Sequence, residues 1–184
     1  MARTPSNMLP LGTSAPSFKL PDTISNTHKD FNDIRGVSGT VVMFICNHCP
    51  FVIHVNNILV EIANSYQDKG IGFVAISSND VINYPQDSPE NMKIHAQTVG
   101  YPFPYLFDET QEIARAYDAA CTPDIYVFNG NDTLVYRGQI DKSRPGNGIP
   151  VTGNDLRHAL NCLLQGVENK EPQMPSIGCN IKWK

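Results

Sequence analysis

The apolar residues of this chain fall into short unbroken runs rather than one long alternating pattern. Residues 40–45, Thr-Val-Val-Met-Phe-Ile, form a continuous β-branched stretch of the kind expected for a central strand covered on both faces. Residues 71–77, Ile-Gly-Phe-Val-Ala-Ile-Ser, read as a second buried strand. Between them Val52, Val55, Leu59, Ile62, Ala63 and Tyr66 recur at helical spacing. Pro50 suits the first turn of that helix, because its missing N–H is not needed there, and Gly70 stops the run.

The rest of the chain follows from the same signals. Residues 17–36 predict a short hairpin leading into a connector, and residues 78–88 a long polar loop. Pro89 opens a helix through about Thr98, capped by Ser88. A short strand lies within 101–108, then a helix over 109–117 with Ile113, Ala116 and Tyr117 on one side. Residues 124–128 and 133–138 are strands joined by a turn at Asn129-Gly130-Asn131-Asp132. A last helix spans about 153–165, with Thr152 and Asp155 as a capping box and Gly166 at its end. Residues 1–16 are rich in Pro, Ser and Thr and are expected to run over the surface; the tail 167–184 reads as extended. This order predicts one α/β domain over 1–184, with its core at about 12–165 and a central mixed sheet flanked by helices.

Composition narrows the functional classes. With 184 residues, 41% hydrophobic, 17% charged and a net charge of −4, the chain is long enough for a real core and has no basic excess, which argues against nucleic acid as a partner. No apolar run reaches the length of a membrane span. The first residues show no apolar signal segment, so a reducing cytoplasm is the expected compartment. Asp and Glu read as solvated faces, and His54, His95 and His158 as solvated helix residues. Arg137 reads as a strand-edge arginine in water.

The five cysteines, 46, 49, 121, 162 and 179, are odd in number in a chain too large to need staples, so a disulfide framework is a poor reading. Cys49 carries the strongest chemical signal. It stands where a strand gives way to a helix led by Pro50, facing the unpaired amides and positive end of the helix dipole, which favour a thiolate. His48 beside it would add positive charge if protonated. Cys46, at the end of the apolar run, has less to stabilise its anion. Cys49 is therefore the expected nucleophile and Cys46 its resolving thiol. Cys162 reads as an inert thiol on an amphipathic helix.

The order of elements, with Cys46-x-x-Cys49 between strand and helix and Thr122-Pro123 before a later strand, resembles the thioredoxin fold. "APSFKLPD", "FNDIRG…VVMF" and "CTPDIYVFNGNDTLVYRG" resemble its redoxin branch, the thioredoxin-like reductases and peroxiredoxins of the alkyl hydroperoxide reductase–thiol-specific antioxidant type. "CNHCPF", "CTPD" and the tail "PSIGCNIKWK" look like a peroxiredoxin-like subgroup.

The resemblance implies a thioredoxin-like fold with an N-terminal β-hairpin extension and a thiol-dependent oxidoreductase acting on disulfides or peroxides. It implies a thiol reductant as partner, either a thioredoxin-like protein or a small thiol, no cofactor and a possible homodimer. It places Thr122 and Pro123 at a cis-Pro segment that pairs with substrate, which brings Cys121 near Cys49 as an alternative resolving thiol; Cys179 in the tail is another. Aligned on Phe44, Cys49 takes the place of the nucleophilic first cysteine, and Val52 the place of the second. Two peroxidase helpers are missing: the Thr/Ser position holds Cys46, and the arginine's place falls at Pro123 or a neighbour. The competing reading is a thioredoxin-fold copper chaperone using Cys46 and Cys49 with a histidine, since closely spaced thiols suit Cu(I).

Overall fold

The computed structural model describes residues 3–184. Its centre is a five-stranded mixed sheet. The apolar run forms β4 (Gly39–Phe44), buried along its whole length in the middle of the sheet. On one side β5 (Ile71–Ser77) and then β6 (Tyr105–Phe107) continue parallel to it. On the other side β8 (Asp124–Asn129) and β9 (Leu134–Gly138) run antiparallel. The hairpin of β2 (Lys19–Pro21) and β3 (His28–Asp30) precedes β4 as expected, and leads into the single-turn helix α1 (Phe31–Ile34).

Successive β4 side chains point to opposite faces, so the strand serves two cores. Val41 and Met43 pack with Val52, Leu59 and Ile62 of α2 (Pro50–Tyr66), Met92 of α3 (Pro89–Val99) and Leu156 and Leu160 of α5 (Asn154–Gln165). Val42 and Phe44 pack with Phe31 and Ile34 of α1 and with Ala114 and Tyr117 at α4 (Glu112–Ala116). Both faces are thereby covered, which is why β4 reads as a continuous apolar run. Ser88 caps α3 and left-handed Gly70 closes the turn after α2, both as expected.

Five expectations are corrected. The N-terminal stretch is not merely surface chain: Arg3–Pro5 is a strand, β1, and Ser6 and Leu9 are buried. It pairs with β10 (Ile177–Asn180) of the tail, which pairs in turn with β7 (Cys121–Thr122) to make a second, three-stranded sheet. The Thr152–Asp155 capping box does not form; Gly153 adopts a left-handed conformation at the helix start, and the buried Asp141 carboxylate accepts the N–H groups of Thr152 and Gly153 at 2.7 Å each. Ala116 is exposed, while Ala114 turns inward beside Tyr117. The polar loop 78–88 is built into the fold: Ser78, Asn79, Asp80 and Asp87 are buried. Asp108, Asp124 and Asp141 are buried as well, so the acidic residues are not uniformly solvated faces.

Candidate active site

Cys49 is the N-cap of α2, with Pro50 following it in the first turn. Its backbone carbonyl accepts the first helical bonds, from the N–H groups of Val52 and Ile53 at 3.0 Å each. The sulfur does not cap the helix: it makes no hydrogen bond to those amides. It points instead to a ring of other donors. The thiol of Cys46, the thiol and backbone N–H of Cys179, and the hydroxyl of Thr122 all bond toward it. Together they outweigh burial, and the Cys49 thiol is pushed down to about 5, with the bond from Cys46 the leading cause. When protonated, Cys49 donates to the carbonyl of Thr122 at 3.1 Å; as a thiolate it uses the surrounding donors instead. The cause of this downward shift is the ring of donors, whereas the sequence expectation laid it to the helix amides.

Cys46 is the donor that loses what Cys49 gains. Its bond to Cys49 first, then burial, hold its own thiol well above the ordinary range. Its sulfur also lies 3.5 Å from the Thr122 hydroxyl. Cys179 is likewise pushed up to about 12, by burial and by its bond to Cys49. The anion is thus favoured on one sulfur and disfavoured on its two neighbours.

Thr122 and Pro123 stand beside this sulfur, and the peptide bond between them is cis. Cys121 is buried, and its thiol faces the carbonyls of Pro123 at 3.6 Å and Ser176 at 4.0 Å. Burial pushes Cys121 up far above the thiolate range. Cys162 lies on α5 with its sulfur 3.5 Å from His158 Nε2, away from the cluster on β4, β7 and β10.

The loop between the two cysteines is pinned by one residue that sequence reasoning left among solvated acids. Asp87, fully buried, accepts from the Asn47 backbone N–H at 2.8 Å and from Asn79 Nδ2 at 2.8 Å, and pairs with His48 Nδ1 at 2.7 Å. Burial works against this carboxylate, but the bonds from His48 and Asn79 hold its pKa below the ordinary value. His48 is therefore committed to Asp87, and its ring stacks on Tyr84 at 5.8 Å. A polar loop that returns to a strand end, as 78–88 does to β4, is the only sequence signal that pointed to it. Asp87→Ala would strand the buried donor of Asn79 and the half-buried donors of Asn47 and His48, and chemical denaturation is expected to show a loss of about 3 kcal/mol.

The remaining candidates settle elsewhere. His54 bonds Ser143 Oγ at 2.7 Å, and His95 meets Asn56 and Tyr101 at 3.3 Å each, so neither is a solvated helix histidine. Arg137 is not a free strand-edge arginine, since its Nη1 donates to Gln173 at 2.7 Å.

The relative exposure of Cys49 is 0%, of Cys46 1% and of Cys179 2%. β10 carries Cys179 and packs against α2, the helix that Cys49 begins. The cleft beside Pro123, lined by Phe51, Arg144 and Ile177 among others, measures only about 20 Å³, the scale of one water. Roomier cavities lie against α5, one of about 530 Å³ beside Tyr136, His158 and Met174.

Residues 11–137 match the AhpC/TSA family. No curated protein sequence matches the chain. Two solved structures follow it from end to end. An uncharacterized conserved protein from Geobacillus kaustophilus is 59% identical, with a TM-score of 0.98, covering 100% of this chain and 97% of that one. A hypothetical protein from Sinorhizobium meliloti 1021 is 43% identical, with a TM-score of 0.96, covering 98% of each. A putative thiol:disulfide interchange protein DsbE from Chlorobium tepidum is 18% identical, with a TM-score of 0.68, covering 85% of this chain and 99% of that one. At that identity the likeness bears on the fold, which is thioredoxin-like.

Proposed function

The chain belongs to the AhpC/TSA family, and from that premise we propose a thiol-dependent oxidoreductase in which Cys49 is the nucleophile and Cys46 the resolving thiol. The observation that carries this reading is the sulfur of Cys49, pushed down to about 5 between two thiols held protonated, beside the cis Thr122–Pro123 bond. In the reaction the Cys49 thiolate attacks one sulfur of a substrate disulfide and displaces the other. Cys46 then gives up its proton and attacks Cys49, closing a Cys46–Cys49 disulfide and releasing the substrate as thiols. A thiol reductant, protein or small molecule, returns the pair to its starting state. Thr122 and Pro123 are the backbone we propose for substrate contact, and a reducing cytoplasm the compartment.

Disulfide exchange is favoured over peroxide reduction. The position of a peroxide-orienting hydroxyl is held by Cys46, and no arginine is among the donors around Cys49. A coupled assay with a thioredoxin-type reductant is expected to turn over a model disulfide faster than hydrogen peroxide.

The test of the site itself is slow alkylation of Cys49 across pH, followed by peptide mass spectrometry. Cys49 is expected to titrate near pH 5 while Cys46, Cys121 and Cys179 stay unreactive to above pH 8. A midpoint near the model cysteine value of about 8.5 overturns the assignment. One observation favours a second reading: Cys46, His48 and Asp87 offer ligand atoms within 4.8 Å of one another. Metal analysis of anaerobically purified protein separates the two, stoichiometric copper supporting a metallochaperone. The pairing of His48 Nδ1 with Asp87 and the carboxylate in this donor set both weigh against a soft ion.

A further inference from the structure

The tail strand β10 does more than complete a sheet. It pairs with β7 in a register that sets Cys179 opposite Thr122, the residue whose carbonyl and hydroxyl meet Cys49. Gly178 lies so close to the Thr122 carbonyl that a Cβ there would come within 1.9 Å of its oxygen. Only glycine permits this approach, and it brings the next side chain onto the nucleophile. Along β10 Ile177 and Asn180 are exposed, while Gly178 and Cys179 are buried. Both the N–H and the thiol of Cys179 bond to the Cys49 sulfur.

The nucleophile therefore has two thiol neighbours on different elements. Cys46 lies just past the end of β4, the central strand of the main sheet, in a loop pinned by Asp87. Cys179 lies on a four-residue strand held between two others of three and two residues, β1 and β7. Cys49 has no exposed surface, so the segments around it must part before a disulfide reaches the sulfur, and β10, which sets Cys179 against it, is one of them.

We propose that Cys179 is a second resolving thiol, which converts a mixed disulfide on Cys49 into a Cys49–Cys179 disulfide and so fastens the tail strand over the site. The proposal rests on Cys49 being the nucleophile. With oxidised glutathione as the disulfide, the Cys49 thiolate attacks one of its sulfurs; a Cys49–glutathione bond forms, the glutathione disulfide breaks, and one glutathione leaves as a thiolate. Cys179 then loses its proton and attacks Cys49 Sγ. The Cys49–Cys179 bond forms, the bond to glutathione breaks, and the second glutathione takes up the proton. Glutathione disulfide is reduced by two electrons, and Cys49 and Cys179 are oxidised by two.

The test treats the unaltered chain, Cys46→Ala and Cys46→Ser with one equivalent of oxidised glutathione under anaerobic conditions, followed by acid quench and peptide mapping. In both variants the glutathione adduct is expected to be lost within the reaction and a peptide pair joined through Cys49 and Cys179 to take its place. The same pair is expected beside the Cys46–Cys49 loop in the unaltered chain. Serine keeps a polar group facing Thr122 should alanine loosen the fold. Glutathione that stays on Cys49 in both variants, or absence of the joined pair from the unaltered chain, overturns the proposal and leaves Cys49 as nucleophile. If Cys49 never acquires glutathione, even with Cys46 and Cys179 both replaced by alanine, the underlying reading fails instead.

Discussion

Replacing Cys49 with serine is expected to reduce disulfide exchange at least about a thousandfold, because no other group in the cluster is held as an anion at neutral pH. A serine hydroxyl in the same ring of donors stays protonated and cannot form the covalent intermediate. Retention of more than a few per cent of the rate would mean another thiol starts the reaction. The same variant carries an independent signature in stability. A thiol whose folded pKa lies near 5 instead of the ordinary value of about 8.5 binds fewer protons folded than unfolded between those limits. Its contribution to stability is whole above the unfolded value and is lost as pH falls toward 5.

Other groups confine where this can be read. Asp124, pushed up to about 6 by burial, changes stability in the opposite sense below that pH. Cys46, Cys121 and Cys179 are raised, so they act only above the ordinary cysteine value. His95, held below its ordinary value of about 6.5 by burial, adds a slope of the same sign near that pH. It is therefore between about pH 7.5 and 8.5 that the unfolding free energy should rise with pH in the unaltered chain and flatten in Cys49→Ser. Urea titrations at a series of pH values measure it, and equal slopes for the two proteins would rule out a buried thiolate.

The second large effect belongs to Cys46→Ala. This removes the leading donor to the Cys49 sulfur, while the Cys179 and Thr122 donors remain. A hydrogen bond to a charged group contributes about 1.5–3 kcal/mol, so the Cys49 midpoint should move up by about 1–2 pH units. Alkylation near pH 6 then slows, and at pH 9 the rates converge or cross, since the more basic thiolate is also the better nucleophile. An unmoved midpoint would transfer the acidity to Cys179 and the helix start.

How much of this was legible beforehand depends on the range of the interaction. The unbroken run at 41–45, the helical spacing after Pro50 and the turn at 129–132 are local patterns, and each produced its element where expected. Thr122-Pro123 was placed by resemblance, and it lies beside Cys49. What sequence could not show were contacts between distant segments. Nothing in "RTP" at 3–5 or "IGCN" at 177–180 announces a strand, because each becomes one only through a partner far along the chain. Asp87 looks like any acid in a polar loop until Asn47, His48 and Asn79 converge on it. The cause of Cys49's acidity was misread for the same reason: the helix start is local, whereas the Cys179 donors arrive from the far end of the chain.

The small sheet in which β10 lies between β1 and β7 has a practical corollary for anyone handling the protein. Affinity handles and fusion partners are attached at chain ends, and here segments near both ends meet in the sheet that sets Cys179 opposite Thr122, beside Cys49. Cleaving a tag is expected to alter the alkylation rate of Cys49 before it alters the melting behaviour of the core.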